Sequence, residues 1–187
     1  MALRYPTPPL EDDVVRLRPW QELDLALLER AGRDEYVATI EHLPIPFDES
    51  AGRAWIAEQH GYLESGRGWT FAVVEAATGE AVGGVGIVFR HPPGAAEPGA
   101  WILEEKRGQG LAEHATRLLC NWALTTDTGI ARVQATVEPW NVASQRVLEK
   151  LGFRREGLLR SYSSWRGERQ DVYLYSLLPA DLDSPSG

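Results

Sequence analysis

A single cysteine, Cys120, stands in 187 residues, so the chain can hold neither an internal disulfide nor a cysteine-based metal cluster. The histidines, His42, His60, His91 and His114, share no i, i+4 spacing on one helix, and no metal site is expected from them. No apolar run approaches the roughly 18 residues of a membrane span. The best, Ala81 to Phe89, is broken by Gly83, Gly84 and Gly86. The N-terminus, Met-Ala-Leu-Arg-Tyr-Pro-Thr-Pro-Pro, lacks the apolar core of a secretory signal, which makes the cytoplasm the expected compartment. Basic residues are outnumbered, 19 against 27 acidic, giving a formal net charge of -8. A nucleic-acid partner would call for a basic patch and is not expected. The acidic balance is compatible with a cationic substrate such as an amine or a basic peptide end, but reports mainly on solubility.

What is present reads as one domain of ordinary composition, 43% hydrophobic and 25% charged. Residues 1–13, with three prolines and an acidic cluster, form an arm leading into a domain over 14–178, and 179–187 form a polar, flexible tail. Val14 to Pro19 alternates apolar and basic residues as a half-buried strand does. A helix is expected over Trp20 to Arg30 with Leu23, Leu27 and Ala31 in register, and a shorter one over Arg33 to Glu41. Pro44 and Pro46 make Leu43 to Ser50 a loop, either covering a pocket or serving as a rigid connector. Ser50 can cap a helix over Ala51 to Glu64. Trp69 to Glu75 and Ala81 to Arg90 read as a hairpin, and His91 to Gly99 as a loop.

The next stretch organises the rest. Ala100 to Leu103 is a short strand, Glu104 to Lys106 a charged turn, Arg107 to Gly110 a glycine-bearing loop. A helix follows, with Leu111, Ala115, Leu118, Leu119 and Trp122 on one face. A strand feeding a glycine turn into a helix start gathers unpaired N–H groups at the positive end of the helix dipole, which suits a phosphate-like anion. The alternative is a tight turn whose glycines relieve strain. The loop is no dinucleotide fingerprint, because Glu113 stands where the third glycine belongs, and no nucleotide-triphosphate loop occurs. Arg132 to Glu138 reads as a strand and Asn141 opens a further helix ended by Gly152. Two strands, Arg154 to Trp165 and Arg169 to Leu177, turn at Arg166-Gly167-Glu168. Asn141 and Ser144 suit the capping of backbone N–H groups as well as contact with a ligand. Strands on both sides of the central helix, with hairpins at both ends, predict an α+β domain with a mixed sheet.

Arg107-x-x-Gly110-x-Ala112 resembles the [QR]-x-x-G-x-[GA] signature of the GNAT superfamily of acyl-CoA-dependent N-acyltransferases. Asn141-Val-Ala-Ser-Gln-Arg-Val-Leu-Glu-Lys-Leu-Gly-Phe-Arg-Arg-Glu-Gly157, Val15-Arg-Leu-Arg-Pro-Trp20 and Asp171-Val-Tyr-Leu-Tyr-Ser-Leu177 are similar to its branch of ribosomal-protein-alanine N-acetyltransferases. Four motifs in order across one domain make the resemblance specific. It implies a mostly antiparallel twisted sheet of about seven strands flanked by helices, splayed in the middle to admit acyl-CoA. It implies backbone contacts from Ile102 and Leu103 to pantetheine, and a pyrophosphate held by Arg107, Gly108, Gln109, Gly110, Leu111 and Ala112. Asn141 would bond the pantetheine end, with Ser144 near the sulfur.

The implied activity is direct transfer of acetyl from acetyl-CoA to a primary amine, a protein N-terminus or a small molecule, without a metal. The alternatives are succinyl or another acyl group, or a non-catalytic acyl-CoA-sensing module. The branch often forms dimers. Thioester aminolysis needs a neutral amine, an oxyanion donor and a proton for the leaving thiolate. Many members supply that proton from a tyrosine, but here the position is Leu148, and Ser144 is the substitute. The branch's base glutamate is also missing from Arg160-Ser-Tyr-Ser-Ser-Trp165. Glu138 is the first candidate base, followed by Glu104 and His42. Cys120, mid-helix near the apolar face, argues against an acyl-cysteine route. Trp140, Trp165, Phe47 and Tyr162 would either wall an acceptor pocket or fill the core.

Overall fold

A computed structural model describes residues 3–43, 45–165 and 167–182, the Trp165 side chain excepted. Pro44 and Arg166 therefore fall outside the described residues. The helices are α1 (Leu25–Ala31), α2 (Glu35–Ile40), α3 (Glu49–Glu64), α4 (Leu111–Thr125) and α5 (Val142–Lys150). The strands are β1 (Val15–Arg18), β2 (Gly68–Glu75), β3 (Ala81–Arg90), β4 (Ala95–Ile102), β5 (Arg132–Val137), β6 (Arg154–Trp165) and β7 (Glu168–Leu177). They form one open mixed sheet in the order β1-β2-β3-β4-β5-β7-β6. The β4–β5 pairing is parallel and ends at Ala96↔Val133, whereas β5 stays paired with β7 through Val137. The α+β class, the strand number and the mixed sheet agree with the sequence reading.

The chain divides into two compact units. One holds the described residues up to Val88 together with Gly99–Leu119, the other Phe89–Pro98 together with those from Cys120 onward. In the first, β2 is buried along nearly its whole length, the mark of an inner strand covered on both faces. Helices α1 to α3 pack Leu27, Leu28, Val37, Trp55 and Ile56 with Trp20, Trp101 and Leu103. Side chains of this size each contribute roughly 1.5–3 kcal/mol when fully buried. The N-terminal arm is tied to this unit, since the Trp69 indole donates to the Arg4 carbonyl (2.8 Å) and Tyr5 meets Phe71 edge-on. In the second unit β5 buries Val133, Ala135 and Val137 alternately, as its period-2 pattern requires.

Three expectations are corrected. Leu23 is exposed, because Glu22–Asp24 is a separate 3-10 turn. There the fully buried Asp24 carboxylate takes both guanidinium nitrogens of Arg18 (2.8 and 2.7 Å) and the Gln21 N–H (2.8 Å). The cap of α3 is Asp48, not Ser50, its carboxylate accepting from Ala51 N at 2.9 Å. The tail expected from residue 179 starts as folded chain. Pro179–Asp181 is a 3-10 turn, and the Asp181 carboxylate pairs with Arg154 at 2.6 Å.

Candidate functional site

In the first unit, β4 runs into a 3-10 turn, Glu104–Lys106, and then into the loop before α4. Ion pairs fix the turn. Lys106 Nζ reaches Glu75 at 2.8 Å, a hydrogen bond that raises the lysine above its ordinary pKa, and Arg30 bonds Glu105 at 2.8 Å. Arg107 is held from two sides, donating from Nε to the Ile102 carbonyl at 3.0 Å and from Nη2 to Asp34, the cap of α2. Burial raises the Asp34 carboxyl, but hydrogen bonds from Arg107 and from the Val37 and Tyr36 N–H groups outweigh it and hold the group below the usual range. The Arg107 side chain thus anchors the loop.

Beyond it, Gly108 and Gly110 have φ of 76° and 80°, values that glycine reaches without the Cβ penalty of other residues. Among the described residues, the backbone N–H groups of Gly108, Gln109, Gly110, Leu111 and Ala112 have no protein acceptor. Gly108, Gln109 and Gly110 are exposed, whereas Leu111 is buried and anchors the helix start. Five such donors at the positive end of a 15-residue helix form an anion cradle.

Just past β4 the Leu103 N–H donates to Val82 of β3 (2.9 Å), and its carbonyl accepts from Lys106 N (2.9 Å). Strand alternation then turns the main-chain groups of Ile102 and Ala100 to the opposite edge. Of the two expected backbone contacts, Ile102 lies on that edge with its carbonyl taken by Arg107 Nε, and the Leu103 main chain is occupied elsewhere. Ala100 shares the open edge, a position that strand parity would have revealed had the β3 register been known. β3 approaches β4 closely at a glycine pair. A Cβ on Gly83 would stand 2.2 Å from the Trp101 carbonyl, and one on Gly84 would stand 2.7 Å from the Trp101 indole nitrogen. A cleft of about 530 Å³ beside the loop is lined by Arg30, Arg33, Asp34, Trp101, Leu103 and Arg107 among others. Its arginines are ion-paired, Arg33 with Glu29 at 3.3 Å.

In the second unit, Glu138, Pro139 and Trp140 turn the chain from β5 into α5. Asn141 is the cap, its side chain accepting from Ser144 N at 3.2 Å. Gln145 clamps the turn from within, donating to the Glu138 and Pro139 carbonyls at 3.3 and 3.0 Å. The Ser144 hydroxyl and the Glu138 carboxylate, both part-buried, have no hydrogen-bond partner among the described residues. Leu148 is buried, so its position offers no acid. Burial pushes the Cys120 thiol up to about 12, which leaves no thiolate for an acyl-cysteine.

The chain matches the acetyltransferase (GNAT) domain family over residues 15–154. It belongs to the GNAT acetyltransferase family. This acetyltransferase is 33% identical over 135 residues to the uncharacterized N-acetyltransferase p20 of Bacillus licheniformis, covering 71% of the chain and 75% of that relative. Its fold matches Mycobacterium smegmatis RimJ, solved in complex with CoA-disulfide, at a TM-score of 0.78 and 25% identity, covering 92% of this chain and 85% of that one. A GNAT-family acetyltransferase from Bacillus anthracis matches at a TM-score of 0.77 and 22% identity, over 91% and 98%.

Of the other expected site residues, Glu104 and His42 are exposed. Phe47 packs on the buried cluster, its ring 2.9 Å from where a Cβ on Gly52 would lie, which makes it core rather than pocket wall. Trp140 and Tyr162 are exposed by 55% and 58%, and the Trp165 side chain lies outside the described residues. Among the described residues no group of three or more His, Cys, Asp or Glu could hold a metal ion, and no helix is long and apolar enough to cross a membrane. Glu41 was not among the expected residues. Burial alone pushes its carboxyl up to about 7.

Proposed function

We propose that this GNAT acetyltransferase moves acetyl from acetyl-CoA directly to a primary amine, a protein α-amine or a small-molecule amine, and that it binds the coenzyme through the loop before α4. The carrying observation is the row of five unpartnered N–H groups from Gly108 to Ala112 at the start of α4. These donors suit the doubly charged pyrophosphate, with Arg107 holding the loop in shape. Ala100 offers its main-chain groups and Ile102 its main-chain N–H to the pantetheine amides, and Leu103 offers its side chain. Asn141 takes the pantetheine end. Glu138 is the base that accepts the proton the tetrahedral intermediate loses from nitrogen, and the Ser144 hydroxyl gives its own proton to the departing thiolate and regains one from solvent. Bound CoA in the RimJ neighbour supports the choice of coenzyme.

The family match runs through both compact units, which supports reading 14–178 as a single functional domain with 1–13 as its arm. A cytoplasmic homodimer accompanies this reading on the strength of the resemblance. Thiol release from acetyl-CoA, with succinyl-CoA in parallel, tests it across peptides with free α-amines and small primary amines. Acceptor-dependent release is expected. Tight coenzyme binding with no acceptor-dependent release from either donor would replace the enzyme with a sensing module.

A further inference from the structure

Within the first unit, the N-terminal arm meets the start of α4 through Asp12. Its Oδ1 accepts from Val14 N and Val15 N (both 2.8 Å), which fixes the carboxylate at the entry to β1. Its Oδ2 lies 2.7 Å from Nδ1 of His114, in the first turn of α4. A helical side chain leans toward the helix N-terminus and covers the residue four before it. For His114 that residue is Gly110, whose carbonyl accepts the His114 N–H at 3.0 Å. A Cβ added to Gly110 would lie 3.7 Å from His114 Cδ2. The imidazole therefore stands beside the row of N–H groups from Gly108 to Ala112. Nδ1 and Cδ2 flank the ring's Cγ on opposite sides, and Nε2 is bonded to Cδ2. With Nδ1 turned to Asp12 and Cδ2 to Gly110, Nε2 is on the Gly110 side, and it has no hydrogen-bond partner among the described residues.

Burial raises the Asp12 carboxyl, but hydrogen bonds from His114 and from the Val15 and Val14 N–H groups outweigh it and hold the group below the usual carboxylate range. An ionised carboxylate only accepts, so Nδ1 carries a proton. In a neutral ring Nε2 is then a bare lone pair, which an anion repels; in the imidazolium it is a second donor. The other charges on the neighbouring elements are committed or exposed. On the arm and β1, Glu11 pairs with Arg16 (2.5 Å) and Asp13 is exposed. On α4, Glu113 pairs with Arg117 (2.6 Å), and in the loop Arg107 is taken by Asp34.

We infer that His114 is a coenzyme-binding residue that, as an imidazolium held by Asp12, donates from Nε2 to a pyrophosphate oxygen. The role rests on the coenzyme reading above and adds a charged side chain to a cradle otherwise made of main-chain donors. Those donors bind equally well at any pH, whereas His114 changes charge near neutrality. When the free protein holds a neutral His114, coenzyme binding takes up one proton from solvent onto Nε2, and affinity falls as pH rises. Asp12 is the positioning residue, and through it the N-terminal arm becomes part of the coenzyme site.

The test is titration calorimetry with dephospho-CoA from pH 5.5 to 8.5. Its pyrophosphate keeps a constant charge over this range, whereas the 3′-phosphate of CoA titrates near about 6. Two buffers of different ionisation enthalpy count the protons taken up. The wild type is expected to take up a proton toward the alkaline end. His114→Gln should take up none and bind about tenfold weaker at pH 6, the two proteins converging toward pH 8.5. Asp12→Asn, which keeps the ring but removes its counter-charge, should lower both the uptake and the affinity at pH 6. Thermal melts verify that both variants are folded. Wild-type binding without proton uptake overturns His114 alone, as does a His114→Gln affinity within twofold of wild type throughout. A loss seen with CoA but not with dephospho-CoA moves the contact to the 3′-phosphate and also overturns it. A wild type that binds neither ligand overturns the coenzyme reading, and His114 with it.

Discussion

Replacing Glu41 by Gln should change the pH dependence of folding in a direction that can be worked out beforehand. The carboxyl titrates near 7 in the folded chain against an ordinary value of 4.5. Below 4.5 both folded and unfolded chains hold the proton and the group contributes nothing unfavourable. As pH rises from 4.5 to 7 the unfolded chain releases its proton and the folded chain keeps it, so stability falls. Above 7 the loss is complete. With each step of one in pKa worth 1.36 kcal/mol, the loss amounts to about 3 kcal/mol. Gln has no titratable proton, and its own desolvation is the same at every pH. The stability of Glu41→Gln minus that of wild type should therefore increase by about 3 kcal/mol between pH 4.5 and pH 8. In a chain of this size that is roughly 6–12 °C in relative Tm. Urea unfolding followed by circular dichroism at a series of pH values measures it. A difference that stays flat to within about 1 kcal/mol would show that the carboxylate is solvated or paired.

Ser144→Ala should lower kcat at saturating acetyl-CoA by about 10² while leaving KM for the coenzyme near wild type, measured by thiol release; undiminished turnover removes Ser144 as proton donor. Gly110→Ala imposes a Cβ on a left-handed residue, a penalty of about 1–2 kcal/mol that should appear as roughly tenfold weaker CoA binding by titration calorimetry. In Gly84→Ala the new methyl would lie within 3.0 Å of both Trp101 and Trp20, and overpacking of this kind should lower stability by about 1–3 kcal/mol in denaturant unfolding.

Where a local signal was sufficient, the sequence reading located the element closely. Helix α4 starts at Leu111 as expected, because two glycines stop the preceding chain and an apolar stripe begins at that residue. Asn141 caps α5 as its type and position suggest. Strand β4 was harder. Gly94, Pro98 and Gly99 made most of it look like a loop, yet it begins at Ala95. By the same alternation that turns Ala100 and Ile102 outward, Pro98 has its missing N–H on the edge where pairing with β5 has already ended. A proline is tolerated at such an edge, and no local pattern shows that the edge is open. Leu23 was misplaced for a similar reason. The turn that exposes it is set by a buried Arg18–Asp24 pair six residues apart, which helical periodicity does not describe.

By itself, the sequence determined the α+β class, the loop before α4, the Asn141 cap and the GNAT resemblance, all of which rest on short-range spacing of residue types. The tertiary structure decided what depends on partners distant in the chain. Arg107 became an anchor because Asp34 lies within its reach, and Leu103 lost its main-chain groups to β3 and to its own turn. Glu41 became a perturbed carboxyl because its turn, held by Trp55 of α3, buries it. Burial and the absence of a counter-charge are properties of the assembled environment, and a sequence read residue by residue does not contain them.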